Sequence, residues 1–222
     1  MRPYLLLITL TATLGGLLFG YDTAVISGTV ESLKSFFIDP YNLSETAANS
    51  RLGLIVSAAL LGCIIGGLSG GWLSRILGRK KGLMIAAILF LVSAIGSAMP
   101  EIFVRPIGEG DHTFIWNFVV YRLIGGIGVG MASMMSPMYI AEIAPAKKRG
   151  KLVSFNQLAI ITGMLIVYFV NYWIARHGTD TWLHETGWRW MFASEAIPAL
   201  LFLILVFFIP ETPRFLALKG RE

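Results

Sequence analysis

The chain has 222 residues, of which 55% are hydrophobic and 14% charged, and its mean hydropathy is +0.70. A soluble domain carries about 25% charged residues, so this chain lacks the charge to cover a surface in water and reads as an all-α membrane protein rather than a water-soluble helical one. The net charge of +5 does not imply a nucleic-acid partner, because the basic residues sit in short stretches between apolar segments, where they orient a chain in a membrane.

Crossing the hydrocarbon core takes about 20 apolar residues as a helix. Six stretches qualify or nearly do. The first, Leu5 to Tyr21, has no charge. A signal peptide is the competing reading, but Asp22 follows directly, no convincing small-residue cleavage site appears, and five more spans come after it. The second, Leu52 to Ser74, contains Gly62, Gly66, Gly67, Gly70 and Gly71 and the single cysteine, Cys63. Small residues at such spacing let transmembrane helices approach closely, and a lone cysteine in an apolar run is packing rather than chemistry. The third, Gly82 to Pro100, is uncharged.

The fourth span, Phe114 to Pro145, holds Arg122, Glu142 and Pro137 and the run Gly125-Gly126-Ile127-Gly128-Val129-Gly130. A nucleotide-binding reading fails, because no strand precedes the run and it lies in an apolar span. The fifth, Leu152 to Ala175, carries Asn156 and Gln157, with Tyr168, Asn171 and Tyr172 further along. A mid-membrane glutamine either hydrogen-bonds the hydroxyls of a neutral solute or bonds a neighbouring helix. The sixth, Trp190 to Pro210, contains Glu195 and Pro198. Prolines in spans mark bends. His112, His177 and His184 are scattered through polar stretches and read as solvated loop residues. No metal-ligand spacing, nucleophile–base pair or phosphate loop is visible, so neither an enzyme nor a cofactor is expected.

Charge sets the direction of the chain. Arg2 precedes the first span; Arg75, Arg79, Lys80 and Lys81 lie between spans two and three; Lys147, Lys148, Arg149 and Lys151 lie between four and five; Arg214, Lys219 and Arg221 follow span six. The other side holds Lys34, Arg51, Arg105, Arg176 and Arg189 among acidic residues, in longer polar segments at about Thr29 to Arg51, Glu101 to Thr113 and Arg176 to Arg189. The positive-inside rule then places both termini in the cytoplasm. Among the charges in or directly beside the spans, three stand out: Asp22, Arg122 and Glu195. Counted inward at about 1.5 Å per residue, all three lie in the outer third of the membrane and can meet. An arginine favours a neighbouring carboxylate's ionised form and apolar burial its protonated form. A group balanced between the two can take a proton on one side and release it on the other, and intramembrane charges are functional by default. The alternative is a fixed ion pair tying three helices together. Asp22 lies in Phe19-Gly20-Tyr21-Asp22-Thr23, where a glycine is expected to loosen the helix beside the acid.

Five motifs in order resemble the sugar porter family of the major facilitator superfamily: Gly20-Tyr21-Asp22-Thr23; Gly71-Trp72-Leu73-Ser74-Arg75-Ile76-Leu77-Gly78-Arg79-Lys80; Tyr121-Arg122 with Gly125, Gly126, Gly128 and Gly130; Tyr139-Ile140-Ala141-Glu142-Ile143-Ala144-Pro145 with Arg149-Gly150; and Pro210-Glu211-Thr212-Pro213-Arg214. Ser154-Phe155-Asn156-Gln157 and Met191-Phe192-Ala193-Ser194-Glu195 are similar to the family's proton-coupled members.

The resemblance implies a six-helix bundle of two inverted three-helix repeats, the N-terminal half of a twelve-helix transporter of the inner membrane. The implied activity is entry of a monosaccharide, a pentose such as D-xylose or a hexose, coupled to a proton. It implies Asp22 as the proton site with Arg122 its partner, Gln157 touching the sugar and Phe19 bordering it, and a cytoplasmic charge network of Arg79, Glu142, Arg149, Glu211 and Arg214. Facilitative relatives tend to have a neutral residue where Asp22 stands.

Three places depart from the family pattern. Arg75 replaces an acidic or amide residue, Ile76 a basic one, and Met164 a second glutamine above Gln157. The departures at Arg75 and Ile76 imply a rearranged charge lock. The C-terminal six helices, or a second copy, are expected to complete the sugar site. A facilitative uniporter and a transport-inactive sensor or fragment are the remaining alternatives.

Overall fold

The computed structural model describes residues 3–106 and 109–220. Arg2 and Arg221, both counted in the charge argument, lie outside the described residues. Six helical segments are long and apolar enough to cross a membrane, and the described residues contain no strand. They are α1 (Pro3–Val25), α3 (Glu45–Leu77), α4 (Arg79–Ala98), α5 (Ile115–Ile143), α6 (Arg149–His177) and a composite sixth span. The composite runs through α7 (Asp180–Trp182), a π-helical turn (Leu183–Gly187), α8 (Trp188–Ser194) and α9 (Ala196–Phe208). The short α2 (Val30–Phe37) and α10 (Pro213–Leu218) lie beyond the spans.

The helix boundaries follow from local chemistry. α4 stops at Ala98 because Met99 precedes Pro100, and a residue before proline is pushed out of the α region. α5 ends at Ile143 for the same reason: Ala144, before Pro145, is extended. α3 starts at Glu45, well before the expected Leu52, since nothing between them breaks a helix and polar residues there meet water. The sixth span breaks at Glu195. Pro198 has no N–H for the Ser194 carbonyl and its ring crowds that turn, so α8 ends at Ser194 and α9 begins at Ala196. Pro137 is accommodated inside a continuous α5.

Two expectations need correction. The segment from Thr29 to Arg51 is not simply a polar loop: α2 buries Leu33 and Phe37, because its apolar residues recur at helical spacing among the charges. Phe37 meets Phe118 at 5.4 Å between ring centroids, and Phe118 meets Trp188 at 5.9 Å and Phe192 at 5.3 Å. Nor does Gly20 loosen α1, which is unbroken past Asp22 to Val25. Gly20 is a contact glycine: a methyl group there would overlap the Ile160 carbonyl of α6, as one on Gly163 would overlap Leu17 of α1.

The same reciprocal contact joins α3 to α5. Gly62 sits on the Leu123 carbonyl and Gly126 on that of Ala59. A methyl group on Gly67, by contrast, would point to open space, although the Gly67 backbone packs against Gly130 of α5, and one on Gly71 would meet only the Met134 sulfur at 3.8 Å, so not every glycine of the run is required by a close contact of its own. α3–α5 and α1–α6 are the most extensive helix pairs. Taking α1, α3 and α4 as one unit and α5, α6 and α8–α9 as the other, each pair sets the second helix of one unit on the first helix of the other. That is the packing of two inverted three-helix repeats.

Candidate functional site

Near the end of the bundle where α1 finishes, α1 contributes Asp22, α5 contributes Arg122 and the α8–α9 break contributes Glu195. Asp22 and Arg122 are each 2% exposed and Glu195 is fully buried. Arg122 Nη1 donates to Asp22 Oδ1, and its guanidinium lies 5.3 Å from the centroid of the Phe192 ring. Glu195 feels the charge of both partners, yet neither of its carboxyl oxygens has a hydrogen-bond partner. The three charges are thus brought together, but as a bonded pair with a third carboxyl beside it rather than a closed triad. Gly125, one turn along α5 from Arg122, makes room for the Ser93 hydroxyl of α4. Tyr21 and Ser194, each the chain neighbour of one carboxyl, share a hydrogen bond of 2.7 Å.

Gln157 is exposed on α6 and Phe19 is half-buried on α1. Asn156, by contrast, is buried against Gly16 of α1. Asn171 is spent on structure: its Nδ2 donates to the Val25 carbonyl at 3.2 Å, satisfying the end of α1. Tyr168 and Tyr172 are exposed.

At the opposite, basic end, Arg79 Nη2 bonds Glu142 Oε1 at 2.8 Å and Arg79 Nη1 the Ser74 carbonyl at 3.1 Å. Glu211 does not pair with an arginine side chain. Its carboxylate accepts from the backbone N–H groups of Arg79 at 3.0 Å and Lys80 at 3.2 Å, capping α4. The helix dipole makes an anion favourable there. Gly78, at φ +91°, is required for that approach, because a side chain would strike the Glu211 carboxylate. Arg214 is mostly exposed and stands 4.0 Å from Glu142. Arg149 is exposed and makes no ion pair among the described residues. The five expected network residues therefore split into a tight pair, a cap, a loose neighbour and a solvated cation. Arg75 is exposed as well and has no acceptor to offer α4, whose cap is the Glu211 carboxylate.

Sequence reasoning missed a second buried pair. Glu101, fully buried, accepts from Arg189 Nη1 at 2.7 Å, and Arg189 also donates to the Ala98 carbonyl at 3.2 Å. Counting loop charges treats both as solvated; the aromatic neighbours Trp188 and Trp190 were the available signal. The histidines also differ. His177 is exposed, but His112 packs edge-on against Tyr41 at 5.0 Å, and His184 is half-buried with an unpartnered Nδ1. In the connection before α5, the Thr113 hydroxyl and N–H hold the Asp111 carboxyl down to about 2, with Arg105 adding to the effect.

Six spans in inverted repeats around a buried ion pair define a helical membrane protein that keeps charge inside its bundle. Comparison with known proteins makes the class specific: the model of the family described as "Sugar (and other) transporter" matches residues 8–222, and the chain belongs to that family. It is 61% identical to the D-xylose-proton symporter of Escherichia coli K12, over 99% of this chain and 46% of the relative. It is 41% identical to the glucose facilitated diffusion protein of Zymomonas mobilis, over 97% of this chain and 45% of the relative. Among solved structures, the major facilitator superfamily proton:xylose symporter XylE bound to 6-bromo-6-deoxy-D-glucose superimposes with a TM-score of 0.96 at 60% identity, covering 99% of this chain and 47% of that one. The chain spans about half the length of the curated relatives it matches. It is a multi-pass membrane protein with a six-helix bundle of the major facilitator fold.

Proposed function

We propose that this chain is the N-terminal six-helix half of a twelve-helix proton–monosaccharide symporter in the inner membrane, with both termini cytoplasmic. Asp22 takes the proton, Arg122 sets its charge balance, and Glu195 is the second carboxyl of the site. Gln157 and Phe19 face the sugar, which binds between this half and a C-terminal six-helix half or a second copy. Alternating access then works by rocking the halves about a site at the membrane midplane. Arg79, Glu142 and Glu211, with Arg214 nearby, hold the cytoplasmic helix ends together in one conformation, and Arg149 joins them only if the second half brings it a partner.

The observation that carries the reading is the buried Asp22–Arg122 pair with the unbonded Glu195 carboxyl beside it. The relative named as a D-xylose-proton symporter supports both halves of the proposal, cargo and proton. In the complete carrier, Asp22→Asn is expected to abolish uphill sugar accumulation while sugar exchange across the membrane survives. Uphill uptake that persists unchanged removes Asp22 from coupling. Facilitated diffusion is the second reading, favoured by the Zymomonas relative's name. It predicts that adding sugar to cells does not alkalinise the medium, whereas symport predicts that it does.

A further inference from the structure

A groove of about 800 Å³ runs between α1, α6 and the α8–α9 span, walled by side chains such as Leu14, Leu17, Val170, Ile197 and Leu201. Its wall includes Tyr21 and Ser194, which share a hydrogen bond and are the chain neighbours of Asp22 and Glu195. At 3.6 residues per turn, Val170 and Trp173 lie roughly 160° around α6 from Gln157. Leu14 and Tyr21 lie about as far around α1 from Phe19. The groove thus opens on the side away from the two residues assigned to the sugar, between spans that cross a membrane.

We propose that the groove seats one acyl chain of a bilayer phospholipid, with the phosphate of that lipid held at the Arg176–His177 end of α6. Length supports it: Ile166 to His177 covers about 16 Å of helix, close to half of a hydrocarbon core roughly 30 Å thick. The groove therefore runs from the interface to mid-membrane in a single leaflet. Its rim supports it too. Trp173, Trp182 and Trp190 line the same end of the groove, the level at which tryptophan sits between headgroups and chains. Charge fits a phosphodiester: none of the described lining residues is acidic, and Arg176 is exposed without an ion pair among the described residues. His177 lines the rim, its Nδ1–H donating to the Trp173 carbonyl at 2.7 Å, so the neutral ring leaves Nε2 to accept from a headgroup hydroxyl or ammonium while Arg176 meets the phosphate.

The test uses the full chain in vesicles of phosphatidylethanolamine and phosphatidylglycerol carrying a trace of phospholipid with a diazirine midway along one acyl chain. Irradiation is expected to concentrate adducts at Leu17, Val170 and Ile197. Adducts spread evenly over the exposed Leu60, Ile64, Leu68 and Leu165 overturn the proposal. Val170→Trp, which fills the groove, is expected to remove labelling at Leu17 and Ile197 while circular dichroism keeps its helical signal; unchanged labelling overturns it. Native mass spectrometry reads the headgroup. Arg176→Ala and His177→Ala together are expected to weaken retention of phosphatidylglycerol at least about fivefold without changing retention of an alkyl glycoside detergent. Retention of both unchanged means an unspecific apolar occupant and overturns the phospholipid assignment.

Discussion

Replacing Asp22 by asparagine removes the carboxylate bonded to a buried guanidinium. Deleting one partner of a buried ion pair costs about 3–5 kcal/mol, because the remaining charge is left uncompensated. Two features of this site lower that figure. Asparagine still offers a carbonyl oxygen to Arg122, and Glu195 stands within electrostatic reach with both carboxyl oxygens unbonded. With Glu195 to turn to, Arg122 loses about the difference between two charge-assisted bonds, and Asp22→Asn alone should cost about 1–2 kcal/mol. Glu195→Gln alone leaves the Asp22–Arg122 bond intact and should change stability by under about 1 kcal/mol. The double variant takes away both carboxylates and should show the full cost of about 3–5 kcal/mol. At mid-range values of about 4, 1.5 and 0.5 kcal/mol for the double and the two single variants, the coupling energy is about 2 kcal/mol. Unfolding of the four proteins in lipid nanodiscs, followed by circular dichroism, measures the cycle. If the double variant's loss equals the sum of the single losses within about 0.5 kcal/mol, Glu195 is no substitute partner for Arg122 and the three residues do not act as one site.

Glycines at contacts and in open space should respond with opposite signs. Gly67→Ala is expected to stabilise α3 by about 0.5–1 kcal/mol through helix propensity, whereas Gly126→Ala, which drives a methyl group into the Ala59 carbonyl, should destabilise by about 1–3 kcal/mol; thermal unfolding in nanodiscs separates them. At the basic end, Arg79→Ala should cost about 3–5 kcal/mol by stranding the Glu142 carboxylate. Arg149→Ala should fall within about 0.5 kcal/mol of the parent chain in the same assay, and equal losses would contradict the split network. In the connection before α5, Asp111 titrates at about 2 in the folded chain and near 3.9 when unfolded. Its stabilising contribution is therefore complete above about pH 4 and is lost as the pH falls toward 2. The Thr113 amide resonance should titrate with a midpoint near 2, and one near 4 would show that its hydrogen bonds do not hold the carboxylate.

The six spans were legible because lipid leaves so little freedom: an uncharged run of sufficient length has one way to satisfy its backbone. Asp22, Arg122 and Glu195 were legible for the same reason, since each breaks such a run. What composition hides is how loop charges are used. Glu101 and Arg189 look solvated in the sequence, yet they form a buried pair, with Phe36 of α2 against the Arg189 guanidinium and Gly110 close against Glu101, and α2 itself escapes notice when its segment is judged by its charges. The family resemblance put Glu211 and Arg149 in one charge network. The fold separates them, as one reaches the N-terminus of α4 and the other stays in water. The glycine run in span two shows the same limit: spacing marks Gly62 and Gly67 alike, but only the helix rotation decides that a side chain at Gly62 would strike α5 and one at Gly67 would not.

The three buried ion pairs among the described residues also differ in what they join. Arg79–Glu142 links α4 to α5 at the basic end, and Arg189–Glu101 links the sixth span to the segment after α4 at the other. Each ties neighbouring helix ends. Asp22–Arg122 instead joins α1 to α5, the first helices of the two repeats, and so connects the two glycine-laced pairs α1–α6 and α3–α5. Well-packed apolar residues would hold that junction at least as well, because the desolvation cost of two buried charges often exceeds their attraction. Stability alone gives no reason to place a carboxylate and a guanidinium where glycine contacts already bind the helices. The proposed proton coupling does give one, since gaining or losing one proton at Asp22 would alter the bond between the two repeats at their shared junction.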